Sequence, residues 1–272
     1  MPKLPNQNRF IDLSDYGRPV ASFIANSLKK TNLTPIHVTI GFTISGLLSV
    51  VCILSGYFGA AAFFLIFKSI LDAADGELAR LKKTPSYTGR YFDSVADIVL
   101  NLLIILAIGY VADFSLAYTA LAFLAIQLQG TLYNYYYVIL RTRFEGDTTS
   151  RIFENKTPKA LKGEKQKNVD ILFRLYKTFY GIFDNAIFIL DRNAFKSDWF
   201  PKWFMTAVST LGLGFQLLII GGMLVLGWKD YIIPFFIIYS VLIFLFIGIR
   251  KYYDVKSIGF SKKQIDLNLH IF

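Results

Sequence analysis

The chain has 272 residues, 54% of them hydrophobic and 17% aromatic, with a formal net charge of +10. Mean hydropathy is positive, and uncharged apolar runs of about 20 residues recur, which excludes an ordinary soluble domain because several such runs would face water. Cys52 is the only cysteine, so there is no disulfide framework and no cysteine-based metal site.

Residues 1–34 carry charges and two early prolines without an apolar core at the start, and no cleavable signal peptide is expected. Within this arm, Pro19 suits a first helical turn, and Val20, Phe23, Ile24 and Leu28 form an apolar stripe ending at Lys29 and Lys30. The pattern predicts an amphipathic helix lying in the cytoplasmic interface. The remainder, 35–272, reads as one membrane domain.

Six spans are expected at about 36–57, 59–80, 91–112, 115–140, 203–227 and 231–249. An even number puts both termini on one side. All but two of the 29 lysines and arginines, Lys68 and Lys229, fall in the arm, the 80–90 loop, the 141–202 segment and the C-terminal tail. These four segments share a face, which is therefore cytoplasmic. The charge reads as a basic rim for anionic lipid headgroups and not as a nucleic-acid surface.

The 141–202 segment forms a basic cytoplasmic insertion. Its second half, Val169 to Leu190, is apolar enough for a seventh span, but Asp170, Arg174, Lys177 and Asp184 interrupt it. An interfacial or re-entrant helical layer is expected instead.

Asp72, Asp75, Gly76, Ala79 and Arg80 recur at the spacing of one helical stripe, as do Gly89, Asp93 and Asp97. A short loop at 81–88 would join the two helices as an antiparallel hairpin, so four carboxylates can converge just below the cytoplasmic membrane surface. Oxygen-only ligands suit a hard cation, Mg²⁺ or Mn²⁺, and four acids can hold two. Such ions keep positions open for phosphate oxygens. Lys68, one turn before Asp72, is either a charge partner for the acids or a contact to substrate phosphate. Gln127, Gln129, Asn134 and Tyr135 to Tyr137, followed by Arg141 and Arg143, could receive an acceptor, or form an aromatic belt with snorkelling arginines.

The pattern Asp-x2-Asp-Gly-x2-Ala-Arg-x8-Gly-x3-Asp-x3-Asp at 72–97 resembles the signature of the CDP-alcohol phosphotransferases, also called CDP-alcohol phosphatidyltransferases, with every fixed position filled. The resemblance is good from Thr34 through the fourth span and weak beyond about residue 141. It implies an all-α integral membrane enzyme of phospholipid or lipid metabolism, a homodimer with six transmembrane helices and a site open to the cytoplasm. It also implies two Mg²⁺ or Mn²⁺ ions on Asp72, Asp75, Asp93 and Asp97. Gly76, Ala79, Arg80 and Gly89 would line the nucleotide and phosphate pocket. Asp97 would take the proton from the acceptor hydroxyl, which attacks a CDP-alcohol and releases CMP. Where the family often shows Thr-Pro-Asn, this chain reads Thr34-Pro35-Ile36, which leaves that segment without its usual polar contact. His37 reads as a polar interface residue and not as a ligand. A cation transporter built on buried carboxylates is the alternative reading.

Overall fold

The structure, a computed structural model, describes residues 4–144, 154 and 156–254. Parts of the expected basic insertion (145–153 and 155) and of the expected basic tail (255–272) lie outside the described residues. Apart from short 3-10 turns, the regular structure described is α-helical: α1 (Arg18–Leu28), α2 (Pro35–Leu54), α3 (Phe58–Lys82), α4 (Tyr87–Val111), α5 (Leu116–Arg143), α6 (Gln166–Leu190), α7 (Lys202–Val208), α8 (Leu213–Val225) and α9 (Lys229–Tyr239).

Local chemistry sets the boundaries. Pro35 opens α2, and the His37 ring accepts a hydrogen bond from the Thr34 amide at 3.0 Å, so His37 caps a helix. Lys83 ends α3 in the left-handed region, with φ 54°, and Pro85 bars continuation. Ser86 then starts α4 by accepting a hydrogen bond from the Gly89 amide at 2.8 Å. The α3–α4 link is thus only four residues long.

Among the described residues, four helices are long and apolar enough to cross a membrane: Pro35–Leu54, Tyr87–Val111, Leu116–Arg143 and Lys229–Asp254, the last continuing α9. A fifth candidate is bent. Its two parts, Lys202–Leu211 and Leu213–Val225, meet at 53°, because Gly212 takes an extended conformation between them. At the start of α8 a Cβ on Gly214 would lie 1.9 Å from the Ser14 carbonyl oxygen, so only glycine allows the N-terminal arm to approach this closely. The fold is therefore that of an integral membrane protein with four to five candidate spans. Helix α3 matches their length but carries Lys68, Asp72, Asp75, Glu77 and Arg80.

Packing separates the two arms of the α3–α4 hairpin. Helix α3 packs chiefly on α2, α8 and α1, while α4 packs on α2, α6 and α5; α3 and α4 are not among the closely packed pairs. A core of α2, α3, α4, α5, α8 and α9 residues, including Phe42, Leu65, Leu100, Ile108 and Phe236, fills the bundle. Helix α1 lies on α3 through Ala21 and Ala25, against Ala74 and Leu78. Its Val20 and Phe23 stay exposed, so the predicted apolar stripe divides between bundle and surroundings.

Candidate metal and phosphate site

The site occupies the gap between α3 and α4. Their stripes bring one carboxylate oxygen from each of Asp72, Asp75 and Asp93 within 4.8 Å of one another. Asp75 is buried and accepts a hydrogen bond from the Thr39 hydroxyl on α2 at 2.6 Å. One oxygen of Asp93, Oδ1, is buried with no hydrogen-bond partner among the described residues. An unpartnered carboxylate oxygen beside two further carboxylates is costly unless a cation completes the group. Hard oxygen donors of this number fit Mg²⁺ or Mn²⁺.

Asp97 stands apart from the three. It lies one turn deeper on α4, and its Oδ1 accepts a hydrogen bond from Lys68 Nζ at 2.5 Å. Lys68 is fully buried, with its ammonium 5.0 Å from the Phe42 ring centre, whereas the Asp97 side chain keeps 12% exposure. Of the two roles open to Lys68, the contact observed is that of a charge partner. The four motif aspartates thus divide into a cluster of three and an ion pair.

The small residues face different surroundings. A Cβ on Gly76 would meet nothing closer than Arg80 Nη1 at 3.5 Å, so protein packing does not require glycine there. At Gly89 a Cβ would lie 3.2 Å from Ser86 Oγ, against the capping hydroxyl, and 3.6 Å from Ile36. Arg80 donates to Glu77 at 2.8 Å and lines a cavity of ≈ 590 Å³ between the N-terminal arm, α3 and Tyr137 of α5. Arg18, also on its wall, pairs with Asp15 and with Glu77.

The acceptor candidates on α5 scatter. Gln129 donates to the Phe236 carbonyl at 2.9 Å and to Ser240 at 3.0 Å, and it accepts from Gln216 at 3.1 Å; it joins α5 to α8 and α9. Asn134 is exposed, and Gln127 is buried. Arg141 is buried with its guanidinium 5.6 Å from the Tyr137 ring centre. Arg143 pairs at 3.2 Å with the exposed Asp198.

The segment beyond 153 reaches back to α4. Glu154 pairs with Arg90 and accepts from the Tyr91 hydroxyl at 2.6 Å. Glu164 accepts from Ser86 Oγ at 2.7 Å and from the amides of Thr88 and Leu161 at 2.8 and 2.9 Å. Partial burial works to raise the Glu164 carboxyl, but these hydrogen bonds outweigh it and hold its pKa below the usual glutamate value. Sequence spacing could not signal the contacts to α4, which span 63 to 78 residues. Thr39 was visible as a residue but carried no sign of its partner.

A bundle of apolar helices in which three aspartates bring carboxylate oxygens within 4.8 Å of one another defines the general class. Residues 32–159 match the family model described as CDP-alcohol phosphatidyltransferase, a stretch that contains every motif position. The resemblance carried by the motif is thereby borne out for this part of the chain. No curated protein matches the sequence.

Proposed function

We propose that the protein is a divalent-metal-dependent CDP-alcohol phosphotransferase whose site opens to the cytoplasm. The observation that carries this reading is the convergence of Asp72, Asp75 and Asp93 at the positions of a complete family motif. Asp72, Asp75 and Asp93 would hold one Mg²⁺ or Mn²⁺, and Asp97, one turn further along α4, would offer a ligand to a second. A bound divalent ion supplies charge neutralisation for the diphosphate and its leaving group. In this reading Gly76, Ala79 and Gly89 leave room for the nucleotide, and Arg80, on the wall of the ≈ 590 Å³ cavity, offers cation charge to phosphate. Asp97, held by Lys68, accepts the proton of the acceptor hydroxyl. That oxygen bonds to the phosphorus bearing the transferred alcohol as the bond to CMP breaks.

This reading takes six crossings, with α3 as one of them, which would put both termini and the site on the basic side, against anionic headgroups. A homodimer belongs to the same reading and is checked by particle mass in detergent. Transport of a cation is the weaker reading, since a path calls for acids spread over several spans, whereas the cluster sits on one hairpin.

The test is a matrix of CDP-linked donors against alcohol acceptors, with CMP release measured on purified protein in Mg²⁺ or Mn²⁺. Release from some pair, lost on chelation, is expected. Asp97→Asn should lower turnover by at least about a hundredfold with the fold retained. Silence across the whole matrix from folded, metal-supplied protein would refute the reading.

A further inference from the structure

Helix α6 begins at Gln166, beyond the stretch that matches the family, yet it lies against α4, the helix that carries Asp93 and Asp97. A run of aromatic rings joins them. Tyr87 stacks on Tyr91 (6.4 Å between ring centres), Tyr91 meets Tyr176 (5.3 Å), and Tyr176 stacks on Tyr180 (5.2 Å). The Arg90 guanidinium lies over the Tyr91 and Tyr176 rings, and Phe173 packs edge-on to Tyr91. At the end of the run the Tyr180 hydroxyl donates to the Ser94 carbonyl at 3.1 Å. Ser94 sits on the turn of α4 between Asp93 and Asp97.

We propose that α6 is a wall of the reaction site and that Tyr180 is a positioning residue, its phenol fixing the α4 turn that carries Asp93 and Asp97. A helical carbonyl has a second lone pair, so this bond adds to the helix ladder without replacing a member of it. A tyrosine phenol keeps its proton at physiological pH, so the group is a donor there. Tyr180 touches no reacting atom. Its effect passes through the backbone, where displacements well below 1 Å alter how a carboxylate meets its partner.

The inference rests on the proposed transfer reaction, and the experiment separates the two. Full-length wild type, Tyr180→Phe and Tyr180→Ala are compared in detergent, using a donor–acceptor pair from which wild type releases CMP. Mn²⁺ is also titrated on each protein without substrates. Tyr180→Phe keeps the ring stack and loses only the donor. It should retain the wild-type thermal midpoint, with kcat lowered about five- to tenfold and both KM values nearly unchanged. Mn²⁺ binding should weaken severalfold, since Asp93 is on the affected turn. Tyr180→Ala should add a lowered midpoint. A purely structural tyrosine would instead leave the Phe variant like wild type. Wild-type kcat and Mn²⁺ binding in Tyr180→Phe would overturn the proposal, as would failure of that variant to fold. If wild type itself releases no CMP, the transfer reaction fails, and the Mn²⁺ titration alone decides whether Tyr180 positions the α4 turn.

Discussion

Asp93 and Asp97 are one helical turn apart on α4, yet they meet different partners. Asp93 joins Asp72 and Asp75, while Asp97 meets the Lys68 ammonium. The carboxylate stripes were readable from spacings of three and four, because helical periodicity alone puts those residues on one face. Their division into a cluster and an ion pair was not, since it depends on how far α3 and α4 stand apart. Lys68→Met would leave Asp97 charged at a poorly solvated site, a loss of about 3–5 kcal/mol by analogy with other broken buried pairs. Thermal unfolding in detergent should show it. Adding Asp97→Asn should restore part of that stability, and additive losses would mean that the two side chains are not energetically coupled. Asp93→Asn should abolish high-affinity Mn²⁺ binding with little loss of fold, measured by the same Mn²⁺ titration.

Helix α6 has three sides, which explains why its sequence was ambiguous between a span and an interfacial layer. Val169, Phe173, Phe183 and Ile187 are buried against α4 and α5. Ile171, Leu175, Ile182 and Ile189 are exposed on a second side, and Lys167, Arg174 and Lys177 are exposed on a third. No two-sided pattern describes such a helix, and the residues that hold it to α4 are distant in sequence. Asp184 on α6 gives a pH signature. Burial, helped by Glu154, pushes its carboxyl up to about 6. A raised carboxyl favours the folded state at low pH, and that contribution is lost as pH rises from the ordinary aspartate range through about 6. Asp184→Asn should therefore raise the thermal midpoint relative to wild type at pH 7.5 and lose that advantage near pH 4. An advantage independent of pH would mean that ionisation is not its source.

Across the whole molecule, the late helices are tied to the middle of the chain by buried polar links, and the strongest charged one centres on Asp191. Arg250 donates to both oxygens of Asp191, at 2.6 and 2.5 Å, and Tyr136 donates to the same carboxylate at 2.6 Å. Arg250 and Asp191 are almost fully buried. Arg250→Met should lower stability by about 3–5 kcal/mol, read from unfolding in detergent, because Asp191 would remain charged and unmatched. Apolar runs made the helices of this bundle legible, but these cross-links were not, since polar residues 55 to 60 positions apart carry no periodic signal. The same separation of roles governs the acids. Helix α2 contributes no carboxylate, but it packs on both arms of the hairpin and grips Asp75 through Thr39. On its α4 side, a Cβ at Gly46 would come within 2.7 Å of Leu100. Helix α2 is therefore a fulcrum between the jaws: one methyl group added at Gly46 presses first on the Leu100 side chain, and cation affinity should change only as far as α4 moves with that leucine.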